Sequence, residues 1–281
     1  MKKVYAVFCL LMIFFSNAQN LEKLADEITE EGILLYRSEM ASWYGTDVFL
    51  ANYPDRENIG GYFSYISDDV PKCVFYSKTN KVIGMVSFPT NYEPANSKLD
   101  LTEREFSELE KDYFDLRTKA AERAEIDSTF TYYNNTSFNF VPLITENEKK
   151  VYVLTGTNVQ NVVIFGNDYL IEFNKENEIK KVQRLHKSII VQNIVDEEVG
   201  KTVSATHSHV LEDWPFITPT DICTLMLYQK FTDWESYNVI SREFTSLFNP
   251  KSNKLIIMKT DVIRKINEDQ EKRKKARAEK K

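Results

Sequence analysis

The 281-residue chain contains no run of 18 or more apolar residues, so the mature protein is expected to have no transmembrane helix. It also lacks a glycine-rich phosphate loop, a Gly-x-Ser-x-Gly elbow and a cysteine-rich cluster. Those absences argue against P-loop chemistry, an α/β-hydrolase serine nucleophile and a thiolate zinc finger. Basic residues do not outnumber acidic ones: 36 Lys and Arg face 42 Asp and Glu, a net charge of −6. No nucleic acid partner is expected from that balance. Internal repeats and low-complexity segments are missing too, and no repeated β pattern or aromatic platform favours a lectin-like or adhesin module. Cysteine and histidine are scarce, with three of each.

What is present begins with a leader-like start. Lys2 and Lys3 precede an apolar run from Val4 to Phe15 and then Ser16, Asn17, Ala18, Gln19 and Asn20. This is the charged, hydrophobic, small-residue order of a secretory signal peptide over residues 1–19, cleaved after Ala18 or Gln19. An exported protein, periplasmic or secreted, is the expectation. Cleavage removes Lys2 and Lys3 and no acid, leaving 34 basic side chains against 42 acidic and a net charge of −8. Cys9 lies inside the apolar run after bulky Phe8, which argues against a lipid-anchored cysteine. Cys73 and Cys223 remain in the mature chain. A disulfide between them stays open as an alternative, but the apolar setting of Cys223 predicts two free, buried thiols.

The remaining patterns predict an α+β protein, with a mixed sheet packed against a long helix and a second helix. Residues 20–97 read as an N-terminal region: a helix over Leu21–Leu50 with breaks allowed at Gly32 and Gly45, then a hairpin whose strands, Cys73–Ser77 and Val82–Phe88, flank Lys78–Lys81. Residues 98–260 read as an α+β domain. It opens on an amphipathic helix over Leu101–Ile126, capped by Thr102 and Glu105. Strands are expected over Phe138–Ile144, Lys150–Thr155, Val162–Phe173, Ile179–Val191 and Val199–His209. A helix from Pro219 to Thr232 and strands over Tyr237–Phe248 and Lys254–Lys259 complete it. Residues 261–281 read as a charged tail, whose basic end, Lys272–Lys281, is expected to be a frayed helix or disordered. Trp43, Tyr44, Tyr62, Phe63 and Tyr65 are expected in the core.

Chemistry concentrates in one place. His207 and His209 are one residue apart, and Asp221 follows twelve residues later. On a strand, alternate side chains share a face, so both imidazoles point the same way, with Val203 and Ala205. Two neutral imidazoles and a carboxylate leave one tetrahedral position of Zn²⁺ open for water. A purely structural account also exists for the acid: Thr218 can cap the helix, Pro219 fits its first position, and Asp221 falls at the third, near the positive end of the helix dipole. His186 is expected to be a partly exposed strand residue rather than a fourth ligand. Asp168, in Gly166-Asn167-Asp168, reads as part of an Asx-turn.

At these residues the chain resembles the JAMM (MPN/JAB) metalloproteases, whose signature is His-x-His, a loop, and Ser-x-x-Asp opening a helix. The matching positions are His207, His209, Thr218 and Asp221, and the resemblance spans roughly residues 100–260. The chain departs from the pattern in having Val210 after the second histidine, threonine in place of serine, and no motif marking the family's glutamate. Glu148, before Lys149-Lys150-Val151, is the best placed candidate, followed by Glu146 and Glu172. The resemblance implies that His207, His209 and Asp221 bind Zn²⁺, that Glu148 is the general base, and that Thr218 hydrogen-bonds the oxyanion. The reaction would be hydrolysis of a peptide or isopeptide bond, with a peptide or envelope polymer as substrate. The competing expectation is a non-catalytic exported protein of the same fold, its histidines serving a structural metal or simple packing.

Overall fold

The structure, a computed structural model, describes residues 2–196, 200–201 and 203–278, with side chains described over 19–194 and 203–278. The expected leader and the start of the Val199–His209 run thus lie largely outside the described side chains. Among the described residues the fold is mixed α+β, with four α-helices and several sheets. Helix α1 (Lys2–Asn52) leads into β1 (Ile59–Ser67), β2 (Val70–Ser77), β3 (Val82–Ser87) and β4 (Lys98–Asp100), an antiparallel sheet in that order. Helix α2 (Glu108–Ile126) precedes β5 (Thr136–Ile144), β6 (Lys149–Thr157), β7 (Val162–Gly166), β8 (Tyr169–Phe173), β9 (Ile179–Arg184) and β10 (Ile189–Asn193). Of these, β5-β6-β8-β9 form one sheet and β7 pairs with β10. A short ladder joins β11 (Val195–Asp196) to β12 (Gly200–Lys201). Then β13 (Ser204–Ser208), α3 (Pro219–Tyr228), β14 (Ser236–Ile240), β15 (Phe244–Asn249) and β16 (Lys254–Lys259) build the last sheet, before α4 (Thr260–Ala278).

Helix α1 holds these layers together. Its inward stripe, Ala25, Gly32, Leu35, Ser38, Ser42, Gly45 and Phe49, is buried at helical spacing. Along its length Ala25 packs with α3 and β14 to β16, Leu35 and Met40 with β6 and α3, and Ala41 and Phe49 with β2 and β3. The two glycines do not break the helix as expected; they let neighbours approach. A Cβ on Gly32 would lie 2.7 Å from Ile222 Cβ, and one on Gly45 would lie 2.8 Å from Cys73 Cβ. Ser38 and Ser42 meet the Ser64 hydroxyl at 2.7 and 2.8 Å, satisfying polar groups that burial would otherwise penalise.

Other boundaries also shift. Helix α2 begins at Glu108, because the capping box is Ser107 with Glu110 rather than Thr102 with Glu105. Glu110 is buried and ion-paired with Arg104 at 2.6 Å, which ties the cap to β3 through the backbone pairing of Arg104 with Val82. The Val162–Phe173 run splits into β7 and β8 at Gly166 (φ +80°) and Asn167 (φ 57°), where the chain enters left-handed backbone. The runs Ile179–Val191 and Tyr237–Phe248 each split into two strands as well. The expected hairpin at Lys78–Lys81 is present, with Asn80 at φ 59°. Trp43 is 46% exposed instead of being a core residue. Cys73 and Cys223 are free and buried, and burial pushes both thiols above their ordinary range. Helix α4 is continuous through Ala278 rather than disordered. No helix of the described residues is long and apolar enough to cross a membrane.

Gly32 tests the α1–α3 contact. In an ordinary helix Gly→Ala raises stability by about 1 kcal/mol. Here the new methyl meets Ile222 Cβ and Cγ2, both at 2.7 Å, and the Pro219 carbonyl at 3.1 Å, and such overpacking costs about 1–3 kcal/mol. Gly32→Ala is therefore expected to be net destabilising, by up to about 2 kcal/mol. An unchanged or raised denaturation midpoint would contradict the contact.

Candidate metal centre

Three separate pieces of local structure deliver four donor groups to one buried point. Strand β13 alternates exposed Ser204, Thr206 and Ser208 with inward Ala205 and buried His207. His209 lies one residue past the strand, but its N–H donates to the Ile240 carbonyl at 3.0 Å, so the pairing with β14 continues and His209 keeps the face of His207. Helix α3 opens with the capping box expected from sequence. The Thr218 Oγ1 accepts from the Asp221 N–H, and the Asp221 carboxylate accepts from the Thr218 N–H at 2.8 Å. That box fixes the Asp221 rotamer and leaves Oδ1 facing the histidines.

The fourth donor is His186, in the bend between β9 and β10. Contrary to the sequence expectation, it is 4% exposed. Two features seat it: the Leu185 N–H donates to the Asp168 carbonyl at 2.9 Å, and Gly166 presents no side chain to the bend. A Cβ on Gly166 would come 2.4 Å from the Ser188 carbonyl and 3.4 Å from His186 Cβ.

His207 Nε2 and His209 Nε2 are 2.9 Å apart. His186 Nε2 lies 3.2 Å from Asp221 Oδ1, His207 Nε2 lies 3.7 Å from the same oxygen, and His209 Nε2 lies 3.5 Å from Oδ2. All four donor atoms fall within 4.8 Å of one another. A tetrahedron with metal–ligand bonds of 2.0–2.1 Å has edges of roughly 3.3 Å, so the measured separations bracket the edge of such a site. This buried group can hold a metal ion.

The outward nitrogens reinforce this. His209 Nδ1 lies 3.1 Å from the Trp214 carbonyl, which only accepts, so the proton sits on Nδ1 and the Nε2 lone pair faces Asp221. His207 Nδ1 meets the Tyr237 hydroxyl at 3.0 Å. His186 Nδ1 is buried without a hydrogen bond, 3.6 Å from Asp168 Oδ2. Asp168 is itself held by the Thr155 N–H at 2.9 Å and by the Thr220 hydroxyl. A carboxylate, a carbonyl and a hydroxyl behind three imidazoles are the outer partners that orient metal-binding histidines.

The electrostatics of the four groups are mutually dependent. Burial alone would raise the Asp221 carboxyl, but the imidazoles of His186, His207 and His209 outweigh it and hold the group well below the usual carboxylate range. Burial lowers His207 to about 4 and also lowers His209, keeping both imidazoles neutral. His186 goes the other way, because the attraction of Asp221 exceeds its desolvation. Burial pushes Asp168 up to about 6, opposed by His186 and the Thr155 N–H. His207 and His209 are thus neutral and have lone pairs to donate at neutral pH, while Asp221 favours the charged form of His186, which must give up its proton to bind a metal.

The residues expected from sequence divide clearly. His207, His209 and Asp221 converge, and Thr218 reaches the centre, but its buried hydroxyl donates to Asp221 Oδ2 at 2.7 Å. A cleft of about 370 Å³ opens onto the histidines, lined also by Lys187, Ser188, Thr206 and Leu211, and among the described residues no carboxylate lines it. Glu148 lies in a different cleft with Glu172, its carboxylate exposed and paired with Lys150 at 2.7 Å. Glu146 is exposed in the β5–β6 turn, and Glu172 accepts from Gln183. Sequence reading missed His186 as a donor and Asp168 as its partner. One usable signal existed, since His186 is the third of only three histidines, in a bend after a strand.

The chain matches no known family model, no curated protein and no solved structure.

Asp168→Asn keeps an acceptor for the Thr155 N–H but removes the charge behind His186. It is expected to lower metal affinity 10–100-fold with little loss of fold, read by competition against a chromophoric chelator. Unchanged affinity would mean that Asp168 has no part in holding the site.

Proposed function

We propose that this protein is an exported zinc-binding protein whose centre is structural, with His186, His207, His209 and Asp221 as its four ligands. The observation that carries the proposal is His186. It takes the position that a catalytic site of the JAMM type leaves to water, and four protein ligands are the mark of a closed zinc site. Zinc is the metal of choice because a tetrahedral set of three imidazoles and one carboxylate suits it. Bound there, the ion would tie the β9–β10 bend, the end of β13 and the start of α3 into one unit and would neutralise a carboxylate buried with three imidazoles. The order of charged, apolar and small residues at the start of the chain supports export.

The second reading is the exported zinc hydrolase of peptide or isopeptide bonds. It is favoured by the cleft that opens onto the histidines, which gives a substrate an approach to the centre. Against it stand the lack of a carboxylate among the described residues of that cleft and the engagement of the Thr218 hydroxyl by Asp221. A JAMM-like fold remains part of both readings.

Metal analysis of the mature protein is expected to find one zinc per chain. Ligand occupancy at a thousand times Kd contributes about 4 kcal/mol, so a chelator should lower Tm by roughly 10 °C or more. His186→Ala should lose both the metal and that increment of Tm, while Glu148→Gln should match the unmodified protein in zinc content and Tm. If His186→Ala keeps zinc and the protein cleaves a peptide substrate at a rate that Glu148→Gln abolishes, the hydrolase reading is correct instead. N-terminal sequencing of the native protein should begin at Gln19 or Asn20; an intact Met1 would remove the case for export.

A further inference from the structure

A second cleft, of about 370 Å³, is lined by none of the four donor residues of the metal centre and lies further along α3, between that helix, α1 and β6. Its floor and one wall come from α1, where Glu39, Ser42, Trp43, Thr46 and Asp47 line it. These residues stand at i, i+3, i+4, i+7 and i+8, so they form a single helical stripe. Such a stripe normally faces a core or solvent. This one is mixed polar and aromatic and faces a half-open cleft.

The charge in the cleft has one sign. Glu39 and Asp47 line it, and among the described residues no Lys, Arg or His does. Glu39 is half-buried, and its one hydrogen bond is from the neutral amide of Asn139, at 2.5 Å. Arg117 attracts Glu39 from a distance but stacks over the Tyr62 ring at 5.2 Å and forms no ion pair with it. Burial accordingly pushes the Glu39 carboxyl up to about 7. A half-buried carboxylate with no cation beside it is costly unless something supplies the charge.

The walls offer aromatic faces at the same place. Trp43, Tyr62 and Tyr228 all line the cleft, and the Trp43 and Tyr228 rings meet edge-on, with centroids 6.1 Å apart at 66°. Trp43 is nearly half exposed, although α1 offers buried positions on either side of it. Aromatic faces around a carboxylate that makes no ion pair among the described residues fit an organic cation; several hydroxyls and the Asn139 amide also line the cleft, and it is the net negative charge that favours a cation over a neutral sugar.

We propose that this cleft binds a small organic ammonium ion, with Glu39 as its counter-charge and Trp43, Tyr62 and Tyr228 as its aromatic walls. The site stands apart from the zinc proposal and survives its failure. The test is isothermal titration of the full mature protein with tetramethylammonium and with 1,4-diaminobutane, against sodium chloride of equal ionic strength and against glucose. At least one of the two cations should bind saturably, and glucose should not. Glu39→Gln, which keeps the shape and the Asn139 contact, should weaken that binding at least tenfold. Trp43→Ala, at an exposed position where folding is not at stake, should weaken it at least fivefold. The proposal is overturned if neither cation binds, if glucose binds as tightly, or if both variants bind within twofold of the unmodified protein.

Discussion

Three imidazoles and a carboxylate share a space from which water is almost excluded, and much of the surrounding structure exists to hold them there. A buried ionised carboxylate is unfavourable on its own. Asp221 is kept charged by two N-terminal helix donors, the Thr218 N–H and hydroxyl, and by the histidines around it. The same capping box that starts α3 therefore aims the carboxylate, so the structural and the metal-binding accounts of Asp221 describe one arrangement. A cap by itself needs no histidines; four donor atoms at tetrahedral spacing need all of it.

Helix α1 supplies the frame against which that arrangement is rigid. Because Gly32 has no side chain, Ile222, the residue after Asp221, seats directly on α1. The start of α3 is thus pinned from one side by the long helix and from the other by the donor cluster. The parallel pairing of β13 with β14 places α3 as the crossover between them, and the hydrogen bond from His209 to Ile240 extends the sheet far enough to carry the second imidazole. Tyr237, on β14, then closes the outer side of His207. Further along α3, on the face that also carries Asp221, Thr224 and Tyr228 line the acidic cleft beside α1, so one short helix borders both sites.

Local pattern is enough to identify features whose cause lies within a few residues. The period of two in β13 puts His207 and His209 on one face, and the spacing of Thr218, Pro219 and Asp221 defines the helix start, because strand pleat and helix capping are set by neighbouring backbone geometry. The hairpin at Lys78–Lys81 and the buried thiols of Cys73 and Cys223 are legible for the same reason. Helix ends and strand breaks are less so. Ser107 rather than Thr102 caps α2 because Glu110, besides pairing with nearby Arg104, meets Tyr65 across the fold, a partner that no local window contains.

Tertiary structure alone decided the fourth donor. His186 sits 21 residues before His207 in a bend, and it reaches Asp221 because Gly166 and Asp168, on another turn, shape the space it enters. That meeting depends on how β7, β8 and β10 stack, which no periodicity encodes. It also changes the chemistry: with three donors the sequence points to a metal with an open position, and with four it points to a closed one. The sequence determined which residues could bind a metal; the packing of distant turns determined how many of them converge, because coordination number is a property of convergence in space and not of spacing along the chain.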